Sequence, residues 1–238
     1  MKIYCCYTPA HEGLFRGYFL PSLPDGLPLE SHRLEISGDG DFLSMEFLQC
    51  IRRKIRLIRD SLRANSGAII LWSDVDIIFQ KDVRGLVQQT FDGNPDLQLL
   101  LQREAKRLPD VNTGFLALRC GAETEKFFAR VEARLVTEPD KNEQAVVNDL
   151  LLRDGDPLRW DYLPWSFYAR THGWPPPRET HLYHANSTKG PDAVGQKIAQ
   201  FTEFAQVKAG GLPALAWSCL RRLPARMSFL RVHDKKWG

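Results

Sequence analysis

The stretch that decides the fold of this chain runs Ala68-Ile69-Ile70-Leu71-Trp72-Ser73-Asp74-Val75-Asp76-Ile77-Ile78-Phe79. Its apolar residues predict a buried strand, which Asp74 and Asp76 interrupt one residue apart. Residues i and i+2 of an extended strand point to the same side, so we expect the two carboxylates to converge. Burying unpaired carboxylates is costly, and oxygen ligands favour hard cations, so the pair indicates a site for Mg²⁺ or Mn²⁺.

A second interpretation of the same residues is that the strand ends near Ser73 and both aspartates lie in a solvated loop. Carboxylate pairs are common at strand ends, and short motifs match by chance. The metal interpretation therefore depends on what the rest of the chain provides.

Length and composition indicate a soluble globular protein. The chain has 238 residues, 43% hydrophobic and 26% charged, which is enough for one generous domain with a sizeable core. A net charge of +3 is too small to indicate nucleic-acid binding. We expect a cytoplasmic protein, because the sequence shows no signal peptide and no apolar run near the roughly 18 residues that span a membrane. The five scattered cysteines predict reduced side chains.

Strands and helices alternate along the chain, which predicts an α/β sheet with one active crevice at the carboxyl ends of its strands. The sequence has neither a Gly-x-Gly-x-x-Gly motif nor a phosphate loop, which argues against dinucleotide-binding and P-loop domains. Beyond the opening stretch, the predicted strands are Lys2–Tyr7, His32–Ile36, Leu97–Gln102, Val111–Leu118 and His181–Asn186, and the predicted helices are Phe42–Asn65, Val83–Phe91, Glu123–Leu135 and one that ends near Leu152.

Polar residues follow or open several of these strands. Tyr7 and Thr8 end the first strand and are candidates for ligand contact, and Gly114 beside Asn112 permits a close backbone approach. The helix Phe42–Asn65 is basic, and we expect most of its charges to be solvated and one or two to neutralise a phosphate. Its cations are Arg52, Arg53, Lys54, Arg56, Arg59 and Arg63.

The ordered set of motifs resembles the nucleotide-diphospho-sugar transferases, which are nucleotide-sugar glycosyltransferases of GT-A fold, and in particular the retaining family 8 and family 77 type. The resemblance covers residues 1–192. It implies a GT-A (Rossmann-like), mixed and mostly parallel sheet flanked by helices, as a single domain over 1–204 with a C-terminal helical extension over 205–238. The motifs are Tyr4–Tyr7, Lys54, Ser73-Asp74-Val75-Asp76, Asn112-Thr113-Gly114-Phe115, Asn142-Glu143-Gln144, and His184-Ala185-Asn186 followed by Lys189-Gly190.

The resemblance also implies a site. Asp74, Asp76 and His184 match the positions that hold a divalent ion on the donor diphosphate, and imidazole suits Mn²⁺ somewhat better than Mg²⁺. Asn112 and Gly114 would line the sugar pocket, and the backbone at Gly190 would help clamp the diphosphate. The residues implied to bind the nucleotide sugar are Tyr7, Thr8, Lys54, Ser73, Asn112, Gly114, Asn186, Lys189 and Gly190.

Glu143 and Gln144 bear on the stereochemistry. An acidic residue followed by glutamine at a helix start resembles the retaining members of the fold, whereas an inverting enzyme needs a carboxylate base at the acceptor hydroxyl. We therefore expect retention, with Gln144 close to the anomeric carbon and Glu143 binding sugar or acceptor hydroxyls. The structural alternative is that Glu143 only completes a helix N-terminus.

Residues 205–238 form a basic amphipathic segment. It is compatible with an anionic membrane surface and with docking on the domain. Pro213 and Pro224 limit any single long helix, so we favour docking and keep peripheral contact with the inner membrane surface as a hypothesis.

The expected function is metal-dependent transfer of a hexosyl or pentosyl group from a nucleotide-diphosphate sugar, expected to be a UDP-sugar, to an acceptor hydroxyl. The acceptor is a glycan, a lipid-linked glycan, a small molecule or a protein. The alternatives are a catalytically silent nucleotide-sugar-binding protein, a sugar-nucleotide pyrophosphorylase and a phosphatase. Ile78 argues against the phosphatase, because haloacid-dehalogenase-type enzymes place a small hydroxyl residue at that position. The sequence also lacks the glycine-rich N-terminal phosphate loop of a sugar-nucleotide pyrophosphorylase.

Overall fold

A six-stranded sheet forms the central layer of the fold. The computed structural model describes residues 1–36, 45–105, 109–170, 176–186, 188 and 192–237, with the backbone alone at 212, 215, 218, 219 and 221–237. The strands of this sheet are β1 Lys2–Tyr7, β2 Leu29–Arg33, β3 Ile69–Ser73, β5 Leu99–Arg103, β6 Val111–Arg119 and β7 Trp160–Tyr162. They lie side by side in the order β2-β1-β3-β6-β5-β7. Strand β6 runs antiparallel to β3 and β5, and the other pairs are parallel, which confirms the predicted mixed, mostly parallel sheet.

A second sheet has three strands in the order β4-β9-β8, namely β4 Ile77–Phe79, β8 Phe167–Ala169 and β9 Leu182–His184. The opening stretch of the sequence is therefore divided, because β3 belongs to the large sheet and β4 to the small one. The prediction that Asp74 and Asp76 lie on one extended strand is wrong, since they lie in the connection between the two sheets. The second interpretation is right that the strand ends at Ser73. The backbone N–H of Asp74 donates to Gly114 O (2.7 Å) and that of Ala185 donates to Asp76 O (2.9 Å), which fixes this crossing.

The second strand also differs from its prediction, which placed it at His32–Ile36. Strand β2 pairs with β1 in register from Ile3 with Leu29 to Tyr7 with Arg33. Because β1 ends at Tyr7, the ladder has no partner strand beyond Arg33, and the chain leaves after one further backbone bond to Tyr7 O.

Helices cover both faces of the large sheet. After β1 come four short helical pieces, Pro9–His11, Glu12–Leu14, Phe15–Phe19 and Leu20–Ser22. The longer helices are α1 Met45–Ala64, α2 Arg84–Gly93, α3 Ala122–Thr137, α4 Glu143–Asn148, which a π-helical turn Asp149–Arg153 continues, and α5 Ala193–Trp237. The start predicted for α1 at Phe42 lies outside the described residues. Cys5, Cys6, Cys50 and Cys120 are free thiols, as expected, and the side chain of Cys219 is not described.

The basic face of α1 packs on α3 through ion pairs. Arg56 Nε lies 2.8 Å from Glu132 Oε1, and both Arg59 and Arg63 lie 2.6 Å from Glu125 Oε1. These three arginines therefore join two helices rather than facing only solvent. Each exposed pair adds little stability by itself, but the network fixes the position of α1.

The first part of α5, mostly before the segment 205–238 for which the sequence favoured docking, packs on the small sheet. Phe201 and Phe204 are buried, and the rings of Phe204 and Tyr183 stack with centroids 4.3 Å apart. Contact continues through Val207, which is buried, and Lys208, whose ammonium donates to Arg178 O (2.9 Å). The expected boundary between 1–204 and 205–238 falls inside this helix and stays a prediction.

Helix α5 is interrupted at Gly211, which has φ 61° and ψ −146°. Glycine adopts this left-handed region at little cost, and Pro213 then lies in the first turn of the helical part that follows, where its missing N–H has no helical partner. The prediction that Pro224 also limits the helix is wrong, because the described backbone stays helical past it. No described helix is both long enough and apolar enough to cross a membrane.

Candidate functional site

Three side chains able to bind a metal meet where β3 passes into β4. Asp74, Asp76 and His184 each offer one ligand atom, and these atoms lie within 4.8 Å of one another. The two aspartates come from the sheet connection, and His184 ends β9, where it pairs with Ile77 of β4. Ser73, which precedes the pair, is buried and its hydroxyl donates to Asp74 O (3.0 Å). The sequence therefore identified three residues that the fold brings together.

One buried atom of this cluster, His184 Nδ1, has no hydrogen-bond partner among the described residues. The other ring nitrogen, His184 Nε2, lies 3.3 Å from Asp76 Oδ1. Buried polar atoms are normally satisfied, so an unpartnered imidazole nitrogen beside two carboxylates indicates a missing ligand. Carboxylate oxygens with an imidazole nitrogen suit a divalent cation such as Mn²⁺. The residues present thus fit the ion that the resemblance implies.

Gly114 makes room for the histidine. A Cβ on this residue would lie 2.2 Å from His184 Cε1 and 2.7 Å from His184 Nδ1. Gly114 lies on β6, and its backbone N–H donates to Asn112 Oδ1 (2.9 Å). The glycine is therefore required by the ring of His184, in addition to the sugar-pocket role predicted for it.

Lys54 is a buried residue of α1 whose side chain reaches the cluster. Its ammonium lies 2.8 Å from Asp74 Oδ1 and 2.9 Å from Glu143 Oε1, and it donates to Thr113 O (3.1 Å). Burial alone would lower the pKa of Lys54, but the charges of Asp74 and Glu143 outweigh it and raise that pKa well above its ordinary value. Lys54 is thus a permanent cation that joins α1, β3 and α4.

The two aspartates have different electrostatic surroundings. Burial raises the pKa of Asp74, against the opposing charge of Lys54. Burial also raises the pKa of Asp76. The charges and hydrogen bonds of Lys197 and His184 outweigh burial, however, and hold the pKa of Asp76 well below its usual range. The ammonium of Lys197, on α5, lies 2.7 Å from Asp76 Oδ2. The sequence analysis missed Lys197, because an isolated lysine on a helix carries no local signal of such a partner.

A second group of polar side chains surrounds Glu104, the first residue after β5. Its carboxylate accepts hydrogen bonds from Asn112 Nδ2 (2.6 Å), Gln144 Nε2 (3.3 Å) and Asn186 Nδ2 (3.5 Å). Asn112, Gln144 and Asn186 come from three predicted site motifs, so the fold brings those motifs together on one carboxylate. Glu104 was not predicted, since nothing in its local sequence distinguishes it from a surface residue.

Glu143 and Gln144 open α4, whose N-cap Asn142 accepts a hydrogen bond from the N–H of Ala145 (2.8 Å). The carboxylate of Glu143 is buried and faces Lys54, and it also accepts from Thr113 Oγ1 (3.3 Å). Gln144 lies between Glu104 and the N–H of Thr113, which donates to Gln144 Oε1 (3.4 Å). The catalytic roles expected for both residues stay predictions.

The loop after β1 approaches the cluster from another side. Tyr7 is buried, and its ring stacks on Phe15 with centroids 4.1 Å apart. Thr8 Oγ1 lies 3.0 Å from His11 Nδ1. Burial, together with the charge of Lys197, lowers the pKa of His11 to about 4, so His11 belongs to the same electrostatic environment as Asp76. Lys189 and Gly190, which we expect to clamp the diphosphate, lie outside the described residues.

A family model described as nucleotide-diphospho-sugar transferase matches residues 25–195, which is more than half of the chain. The chain belongs to this family. The match confirms the predicted family and the predicted enzyme class, a glycosyltransferase. A comparison with curated proteins gives no match.

Solved glycosyltransferase structures share the fold at low sequence identity. One, involved in the glycosylation of the major capsid of PBCV-1, has a TM-score of 0.54 and 12% identity over 84% of this chain and 100% of its own. GlyE of Streptococcus pneumoniae TIGR4 has a TM-score of 0.54 and 11% identity over 85% of this chain and 63% of its own. Mouse xyloside xylosyltransferase 1 has a TM-score of 0.51 and 11% identity over 79% of this chain and 98% of its own. The transferase chain thus has the predicted GT-A fold.

Replacing Gly114 by alanine tests the contact with His184. The Cβ would overlap the imidazole ring, so we expect Gly114→Ala to lower the free energy of unfolding by about 1–3 kcal/mol and to weaken Mn²⁺ binding. Denaturant titration and calorimetric Mn²⁺ titration measure the two effects. Gly85→Ala is the matched control, since its Cβ would meet no atom within 4 Å. Unchanged Mn²⁺ affinity in Gly114→Ala would contradict the placement of His184.

Proposed function

We propose that this transferase moves a sugar from a nucleotide-diphosphate sugar, with a UDP-sugar as the expected donor, to an acceptor hydroxyl, using a divalent ion held by Asp74, Asp76 and His184. One observation carries the proposal, namely that ligand atoms of these three residues lie within 4.8 Å of one another and that the buried His184 Nδ1 has no hydrogen-bond partner among the described residues. Family membership supports the nucleotide-sugar donor.

The bound ion would act as a Lewis acid that stabilises the negative charge on the departing nucleoside diphosphate. The chain's own residues prepare its site. The ion pair with Lys54 holds Asp74 in place, and the absence of a side chain at Gly114 leaves room for the ring of His184. Both contacts exist before any ligand binds, so the site needs little reorganisation during the reaction.

The group around Glu104 supports a sugar-binding role for this part of the site. Asn112, Gln144 and Asn186 supply amide donors and acceptors, and Glu104 supplies an acceptor, all suited to sugar hydroxyls. In this arrangement Gln144 contacts the transferred sugar, and Lys54 with Glu143 positions the start of α4.

Retention is supported by the surroundings of Glu143. Its carboxylate is buried against Lys54 and Thr113, which leaves it poorly placed to deprotonate an acceptor. Inversion is the second candidate, because Glu104 is a carboxylate beside Gln144 and is able to serve as a base.

Release of nucleoside diphosphate tests the proposed activity. We expect one member of a panel of nucleotide sugars, with Mn²⁺, to yield its nucleoside diphosphate, and Asp76→Asn to lower the rate at least about 100-fold through loss of charge stabilisation. Asp92→Asn, an exposed carboxylate bonded to Gln88 on α2, is the matched control. Release of phosphate or pyrophosphate, or equal rates for wild type and Asp76→Asn, would contradict the proposal.

The stereochemistry is measurable without knowing the acceptor. With water as the acceptor, early NMR spectra of the sugar released from an α-linked donor should show the α-anomer. Initial formation of the β-anomer, together with its loss in Glu104→Gln, would instead assign an inverting mechanism with Glu104 as base.

We also propose that α5 beyond Gly211 contacts an anionic membrane surface. Trp217 and Leu220 lie three residues apart and are 59% and 57% exposed, and residues 205–238 contain seven Lys or Arg residues against one Asp. The intact chain should float with phosphatidylserine vesicles, and the Trp217→Ser, Leu220→Ser double variant should float less. Val136→Ser, at an exposed valine of α3, is the control. Equal flotation of the double variant and wild type would contradict the proposed membrane contact.

A further inference from the structure

Lys197 is the feature of this site that the proposed function leaves unexplained. It lies on the first turns of α5, and its side chain is only 16% exposed. Its ammonium lies 2.7 Å from Asp76 Oδ2, so one oxygen of a proposed metal ligand is already bound by a cation. A divalent ion at Asp76 would therefore lie within a few ångströms of a positive charge.

The two lysines of the site differ in how firmly they are held. Lys54 is 7% exposed at its side chain and contacts Asp74, Glu143 and Thr113 O at once. Among the described residues Lys197 has Asp76 as its ion-pair partner, and it lies on a helix at the edge of the site. Removing Lys54 from its place would break three contacts, whereas Lys197 gives up one.

The charges of the cluster explain why a lysine is needed there. Asp74, Asp76 and Glu143 are three carboxylates in a largely buried space, and Lys54 alone would leave two of the negative charges uncompensated. A buried carboxylate without a partner is strongly destabilising. In the ion-free enzyme Lys197 is the ion-pair partner of Asp76. The three carboxylates still exceed the two lysines by one negative charge, which attracts a divalent cation.

From this geometry we infer that Lys197 is a displaceable counter-ion, which occupies Asp76 in the ion-free enzyme and competes with the divalent ion for that carboxylate. The inference rests on the proposed metal site. Lys197 is thus a positioning residue that keeps the site assembled before the ion binds, and the ion must overcome its charge. By linkage, removing a competing cation raises the affinity for the other one.

Calorimetric titration of the 238-residue chain with Mn²⁺ alone tests the inference. We expect Lys197→Met to bind Mn²⁺ at least about five-fold more tightly than wild type, the lower end of usual coupling between two ligands. Lys197→Arg should keep wild-type affinity because it keeps the charge. Lys208→Met is the matched control, since it removes a lysine from the same helix that contacts Arg178 O rather than the site.

Thermal unfolding supplies a second readout. Without ion, Lys197→Met should melt below wild type, because Asp76 loses its partner, and saturating Mn²⁺ should raise its melting temperature more than that of wild type. A purely structural lysine would lower the melting temperature without raising the affinity for Mn²⁺.

The outcomes separate the two proposals. Equal or weaker Mn²⁺ binding by Lys197→Met, with normal binding by wild type, would overturn the inference and leave the metal site standing. Absence of Mn²⁺ binding by both would overturn the metal site and the inference with it. Tighter binding that is lost on adding Asp76→Asn to Lys197→Met would support both.

Discussion

The ion pair between Lys54 and Asp74 is the interaction on which the rest of the site depends. It joins α1 to the end of β3, and because Lys54 also contacts Glu143 and Thr113 O, it joins the start of α4 and strand β6 to the same point. Ion pairs this deeply buried do not always add to stability, but removing one partner leaves an uncompensated charge. The position of Asp74 is thereby fixed before any ligand arrives.

The second carboxylate of the pair, Asp76, lies where the chain enters the small sheet. The chain turns at Asp74 and Asp76 and enters β4, whose pairing with β9 places His184 beside Asp76. The ring then fits only because position 114 has no Cβ. The candidate metal ligands, the connection between the two sheets and the need for glycine at position 114 therefore depend on the same packing of His184.

Much of this architecture could be predicted from the sequence, and its limits have physical causes. Strands β1, β3 and β6 were predictable because each is an apolar run bounded by polar residues. The end of β3 at Ser73 was one of two interpretations, because apolar residues continue after Asp76 to Phe79, and the long-range backbone bonds to Gly114 and from Ala185 that decide between the two are not visible in the sequence. Asp74, Asp76 and His184 were identified by chemistry and motif order. Lys197 and Glu104 were missed because their partners come from distant segments, and their local sequences resemble ordinary surface.

The most direct test of the central claim is the position of a bound ion. A crystal of the 238-residue chain grown with Mn²⁺ and a nucleoside diphosphate, with diffraction recorded at the manganese absorption edge, locates the ion by its anomalous signal. We expect a single strong peak in direct contact with Asp74, Asp76 and His184, with the diphosphate on the same ion. A peak elsewhere, or a diphosphate bound with no ion at these three residues, would contradict it.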